Sequence, residues 1–209
     1  MKEKLTQKDF STKERTKFST KTIAKIGVLG AVAAIIHLID FPLFFAPDFY
    51  KLDFSEIPVL IGAFSLGPVA GVSIEVVKIL LKLILKGTTT AAVGDFGNFL
   101  IGCALVLPAA IIYKKNKSFK SAVIGLSIGT ITLAIVGALM NYYVLIPFYA
   151  STGFPLEKII SMGNAVNNNI VSLWTLVLYA VVPFNIVKGV LVSVITMLVY
   201  KRISPLLHR

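Results

Sequence analysis

The sequence predicts an all-α membrane protein, one bundle of six transmembrane helices with both termini in the cytoplasm. Three observations carry that expectation. Of 209 residues, 56% are hydrophobic and only 15% charged, where soluble domains carry roughly 25% charged residues; mean hydropathy is +0.83. The apolar residues gather into six runs bounded by turn residues. The basic residues are asymmetric: fifteen of 21 Lys and Arg lie in the tail through Lys25, in the loop from Lys114 to Lys120, and at the C-terminus.

In chain order the runs are 23–41, 55–64, 69–85, 99–113, 122–148 and 170–200. A straight span needs about 20 residues, so the second run is short. Gly67-Pro68 joins it tightly to the third, and the two read as a helical hairpin whose first arm is partly non-spanning. The sixth run is overlong, so it tilts, kinks at Pro183 or protrudes. Six crossings place all three basic clusters on one side, which the positive-inside rule makes the cytoplasm; an odd number would split them. Asp40, Asp48, Asp53, Glu56, Asp95 and Glu157 then face outward. The chain is expected to divide into a basic cytoplasmic tail (1–22), a six-helix transmembrane domain (23–202) and a cytoplasmic C-terminal tail (203–209). The Lys/Thr-rich start reads as that tail rather than as a cleavable signal.

The net charge of +11 would suit nucleic acid, but no basic stripe interleaved with stacking aromatics accompanies it. A lone Cys103 forms no intrachain disulfide and reads as a small core residue. His37 and His208 are too far apart to suggest a metal site by spacing, so no metal is expected. There is no GxxxxGK[ST], so the chain does not energise itself with ATP. Neither GxSxG nor HExxH is present, which disfavours an enzyme. An intramembrane enzyme using Asp53, Glu56 and Asp95 as acid and base is the alternative from another class, and a structural scaffold is a third. No matching pair of broken helices marks an inverted-repeat transporter.

The most informative residue is Lys188, the one charge in the run from Ile170 to Tyr200. A charge inside a span costs about 2.5–3.5 kcal/mol on insertion scales, so such residues face a bundle interior or a wet cavity. Asn185 lies three residues before it, on the same helix face. Together they read as the polar floor of a small-molecule site; snorkelling to the headgroups is the alternative. Asn98, closing the GDFGN of 94–98, and Asn141, opening Asn141-Tyr142-Tyr143, lie on two further helices. An amide offers a donor and an acceptor, which suits the matched edge of a flat heterocycle; bonding between helices is the competing use.

Other constellations are more ambiguous. Asp53 and Ser55 suit helix capping, with Pro58 in an early turn. Glu56 has no such reason unless the loop folds over something. Phe44, Phe45, Phe49, Tyr50 and Phe54 suit a lid or an interfacial belt. Glu75, Lys78, Lys82 and Lys86 share an arc of roughly 80° on one helix. There Glu75 and Lys78 are placed to neutralise each other, Lys86 to snorkel, and Lys78 to touch a ligand or partner. Gly27, Gly30, Ala31 and Ala34 form a small-residue ridge suited to close helix contact, internal or with a partner. The Asn-rich stretch 164–169 reads as an outer loop and cap.

Residues 53–78, DFSEIPVLIGAFSLGPVAGVSIEVVK, resemble the riboflavin-specific substrate-binding (S) components of energy-coupling-factor transporters. AVGDFGNFLIG at 92–102 and the basic loop before the fifth run match the same family. The likeness extends over most of the chain and is least distinctive in the N-terminal tail and at 151–164. It implies a cell-membrane protein binding riboflavin from outside at high affinity, as cargo rather than cofactor, and leaves binding of the phosphorylated flavin FMN open. It also implies a transmembrane coupling subunit and two cytoplasmic ATPases as partners. The docking face would lie among Gly27, Gly30, Ala31 and Ala34, and transport would proceed by rotation of the whole component in the membrane. The ligand set becomes Lys188, Asn185 and Asn141, with Asn98, Asp95, Glu56 and Lys78 beside them. An S component for another vitamin is the near alternative, because the fold is shared and specificity lives in a few side chains.

Overall fold

The computed structural model describes residues 19–207. Most of the basic tail read at 1–22, and residues 208 and 209, lie outside the described residues. Helix α1 (Thr20–His37) starts at Ser19, whose hydroxyl accepts the Thr22 N–H. A two-stranded antiparallel hairpin follows, β1 (Phe41–Pro42) and β2 (Lys51–Leu52), with Phe41 opposite Leu52. Helices α2 (Glu56–Leu66) and α3 (Pro68–Lys86) meet at Gly67, whose φ of 100° suits glycine. Pro68 occupies the first turn of α3, where a missing N–H costs nothing. The tight hairpin expected of the second and third runs is therefore present.

The remaining helices are long but interrupted. Helix α4 (Val93–Lys115) begins ahead of the apolar run at 99, because Asp95 and Gly97 face inward and belong to it. Helix α5 (Phe119–Met140) passes through a π-helical turn (Asn141–Leu145) into α6 (Ile146–Ser151). Helices α7 (Leu156–Val166) and α8 (Leu173–Leu176) follow; a second π turn (Val177–Val181) then leads into α9 (Val182–Leu207). Each π turn sits just ahead of a proline, Pro147 or Pro183. Proline donates no N–H and crowds the carbonyl four residues back; widening the helix by one residue concentrates that misfit in a single turn. The break anticipated at Pro183 takes this form.

Helix α7 departs from the expected outer loop. It is amphipathic, with Ile159 and Gly163 its buried residues, and too short and polar to read as a span. The start of α8 is capped by Ser172 and Thr175 rather than by the Asn-rich stretch.

Among the described residues, four helical stretches are long and apolar enough to cross a membrane: Thr20–His37, Val93–Lys115, Phe119–Ser151 and Leu173–Tyr200. The chain is an all-helical membrane protein, with the small hairpin as its only strands among the described residues. Helix α3 misses the apolar criterion because of its charged stripe. The short α2 is held in the middle, against α1, α3, α4 and α9. Eight of its 11 residues are buried, which is why it has no polar face. Helix α4 runs along α5, α1 along α3, and α5 along α9.

The α4–α5 contact depends on small residues. A Cβ on Gly125 would stand 2.8 Å from the Ala109 carbonyl oxygen, and one on Gly129 would strike the Leu105 carbonyl. Spacing of four puts both glycines on one ridge. On α1, by contrast, Gly27 has nothing within 4 Å among the described residues. Ala is the better helix former by about 1 kcal/mol, while overpacking costs about 1–3 kcal/mol. Thermal unfolding in detergent should therefore show Gly27→Ala unchanged or raised in Tm and Gly125→Ala lowered.

Candidate functional site

A cavity of about 680 Å³ opens at the end of the bundle that carries the hairpin, within the range of small-molecule sites. Its walls come from the end of α1, the hairpin, α3, α4, the α5–α6 junction and α9. At the mouth, Asp40 accepts from Lys51 at 3.2 Å and Lys86 at 3.3 Å. Lys86, expected to snorkel, is thus a rim residue with a partner. Burial alone would raise the Asp40 carboxyl; the bonds from Lys51 and Lys86 outweigh it and hold the group below its ordinary value of 3.8.

The floor comes from α9. Asn185 is 5% exposed and Lys188 7%. The Lys188 ammonium donates to Asp53 Oδ2 at 2.9 Å. Asp53 Oδ1 accepts the Ser55 N–H at 2.9 Å and the Ser55 hydroxyl, and His37 Nδ1 lies 3.3 Å away. The capping expectation for this pair needs correcting. Ser55 occupies the N-cap of α2 but makes no side-chain cap bond; Asp53 organises the turn and is the counter-ion of the buried lysine. The physical reason is that an unpaired buried ammonium is far costlier than an uncapped helix.

Asn141 and Asn185 use the same local device. Each turns its Nδ2 back on a carbonyl four residues earlier: Gly137 at 2.8 Å and Val181 at 2.9 Å. This leaves each Oδ1 as the acceptor presented elsewhere. Asn141 Oδ1 accepts the Tyr50 hydroxyl at 2.9 Å, and the Tyr50 ring lies 5.6 Å from that of Phe184. Gly137 lets the two amides approach, since a Cβ there would sit 2.7 Å from Asn185 Nδ2. On the opposite wall, Lys82 reaches Asp95 Oδ1 at 2.5 Å and donates to the Gly87 carbonyl at 3.2 Å. Asp95 Oδ2 is buried with no hydrogen-bond partner among the described residues. Asn98 lines this wall from a more exposed position.

The structure thus brings Lys188, Asn185, Asn141, Asn98 and Asp95 to one cavity. Glu56 and Lys78 do not line it. Lys78 Nζ lies 2.7 Å from Glu56 Oε1 and 2.5 Å from Glu75 Oε1, behind the lining. Of the small-residue ridge, Gly30 and Ala34 are buried in the bundle, and a Cβ on Gly30 would strike Val77 of α3. Gly27 stays exposed and Ala31 half-buried. Three contributors escaped the sequence reading: His37, the pairing of Asp53 with Lys188, and the Tyr50–Asn141 bond. The last two join residues 135 and 91 apart, so no spacing could signal them; the need of a buried lysine for a carboxylate was the available clue.

Chemically, the cavity offers amide acceptors and an ammonium on its floor, aromatic rings on one side and paired ions on the other. Such a lining suits a small molecule with both apolar and polar surfaces. A family model for the ECF transporter, substrate-specific component, matches residues 21–200. The chain belongs to that family, a transport component and not a family of enzymes. It is 37% identical over 189 residues to the riboflavin transporter RibU of Staphylococcus aureus, covering 90% of this chain and 93% of the relative. The riboflavin transporter FmnP of Bacillus subtilis is 31% identical, with coverages of 88% and 93%. A solved structure of the S component of a bacterial ECF transporter superposes with a TM-score of 0.69 at 35% identity, over 90% of this chain and 98% of that one.

Breaking a buried ion pair by removing one partner costs about 3–5 kcal/mol, whereas replacing both with apolar groups can be near neutral. Asp53→Leu and Lys188→Met should each lower the ligand-free Tm in detergent strongly. The double variant should recover much of the loss; a double variant worse than either single would contradict a mutually compensating pair.

Proposed function

We propose that this chain is the riboflavin-binding subunit of an ATP-driven uptake transporter in the cell membrane. It has six spans, both termini in the cytoplasm and a cavity that loads from outside. The observation that carries this reading is the floor: two oriented asparagine acceptors and a buried lysine, in a family whose cited relatives are riboflavin transporters. Riboflavin has an apolar tricycle, a pyrimidine edge of two carbonyls flanking an N–H, and a hydroxylated tail. Asn141 or Asn185 Oδ1 accepts the ring N–H, and Lys188 donates to a neighbouring carbonyl. The tail runs toward Asn98 and the unpartnered oxygen of Asp95. Tyr50 holds Asn141 Oδ1 until the ligand takes its place, and the hairpin then closes over the ring. Glu56 and Lys78 brace the floor from behind. With FMN, the phosphate would meet Lys51, Lys82 and Lys86 at the mouth.

High affinity follows from dryness: a ligand lacking a matching group strands a buried donor or acceptor. Inward delivery requires the coupling subunit and two ATPases. Within the ridge of Gly27, Gly30, Ala31 and Ala34, the accessible members Gly27 and Ala31 are the ones left for docking the coupling subunit.

The test is a visible absorption spectrum of the detergent-purified protein, then release by denaturation and a fluorescence-quenching titration with added riboflavin. A flavin spectrum with near-stoichiometric release is expected. Losing a hydrogen bond to a charged group costs about 1.5–3 kcal/mol, so Lys188→Ala should weaken binding by at least tenfold, with Asn185→Ala acting in the same direction. A colourless protein that leaves riboflavin fluorescence unquenched would overturn the reading and point to another vitamin.

A further inference from the structure

Behind the cavity, α2, α3 and α4 close around an ionic cluster that ligand recognition does not use. Lys78 is 1% exposed, Glu75 0% and Glu56 3%. One ammonium serves two carboxylates, at 2.7 Å from Glu56 and 2.5 Å from Glu75. Both carboxylates press on the same point of α4. A Cβ on Gly102 would lie 3.0 Å from Glu56 Oε1 and collide with the Glu75 carboxyl group. Glu56 Oε2 and both oxygens of Glu75 are buried with no hydrogen-bond partner among the described residues, Glu75 Oε1 meeting Lys78 as an ion pair.

The charges facing this cluster from each packed element leave an imbalance. The end of α1 supplies His37; the lead-in to α2 supplies Asp53, and α2 itself Glu56. Helix α3 supplies Glu75, Lys78 and Lys82, α4 supplies Asp95 and the thiol of Cys103, and α9 supplies Lys188. Lys188 balances Asp53 and Lys82 balances Asp95. Lys78 alone is left to balance two acids. An uncompensated charge in such an interior costs several kcal/mol. A proton on His37 would fall beside Asp53, which already accepts from Lys188 and Ser55. Asp95 keeps one unpartnered oxygen but has Lys82 to itself, whereas the two glutamates combine unpartnered oxygens with a single shared ammonium.

We propose that Glu56 and Glu75 hold one proton between them, forming a carboxyl–carboxylate pair braced by Lys78. The O–H of one acid donates to an unpartnered oxygen of the other, supplying a donor to a cluster whose carboxylate oxygens outnumber its donors. Four acids, three lysines and one proton then sum to zero. The pair acts as a positioning element. It ties α2 to α3 where both cross Gly102, next to Ile101 of the cavity wall, and Glu56 opens α2 just after Asp53, the partner of Lys188.

Infrared difference spectroscopy of the purified full chain tests this directly. The wild-type protein should show the deuterium-sensitive carbonyl stretch of a protonated carboxylic acid. Glu75→Gln and Glu56→Gln should each lose it, because the surviving acid then faces Lys78 alone and ionises. Both variants should stay folded, the amide donating where the acid did, and His37→Gln should keep the band. Absence of the band from wild type, its survival in both glutamine variants, or failure of both to fold would overturn the shared proton. None of these readings depends on which ligand the cavity takes.

Discussion

An ammonium cannot remain inside an apolar helix bundle without a counter-charge, and the cavity is arranged around how Lys188 obtains one. Its partner, Asp53, stands in the loop that leads from the β1–β2 hairpin into α2. The pair therefore ties α9 to the segment that carries the aromatic roof. Tyr50 and Leu52 immediately precede that carboxylate, and Tyr50 reaches Asn141 while stacking near Phe184. Floor and roof are thus two ends of one electrostatic link.

The polar groups of the site gain direction from irregularities in the helices. Asn141 opens one π turn and Asn185 follows the other, and both turns sit just ahead of a proline. Each side-chain amide bonds the carbonyl four residues back, so its oxygen acquires a fixed aim. Glycine does the complementary work. Gly137 brings the two amides together, and Gly102 gives the ionic cluster room behind the wall. The cavity surface is therefore held by backbone geometry more than by side-chain reach, the kind of support a precise binding site needs.

Hydropathy made the membrane class legible in the sequence, and Gly67-Pro68 betrayed the α2–α3 hairpin. Lys188 and Asn185 stood out because a charge or amide in a long apolar run has few tolerable places. What stayed hidden shares a physical character. Asp53 looked like a cap because local spacing describes helix starts, while its decisive partner is remote in sequence. Glu56 and Lys78 looked like ligand residues because nothing local shows that Lys78 is shared between two carboxylates in a closed pocket. Helix α7 was missed because an amphipathic helix of that length lacks the apolar weight of a span. The ridge on α1 could not be divided into inward and outward halves until α3 was seen to fill the groove beside Gly30.

The central claim is that a heterocycle edge is read by the amides of Asn141 and Asn185 and by Lys188. A structure determined with riboflavin bound tests it most directly. The ring should lie between the aromatic roof and the floor, its pyrimidine edge within hydrogen-bond distance of Lys188 and at least one of the two amides, with Tyr50 released from Asn141. A flavin lodged elsewhere, or one that leaves Lys188 bonded to Asp53 alone and Tyr50 still on Asn141, would contradict it.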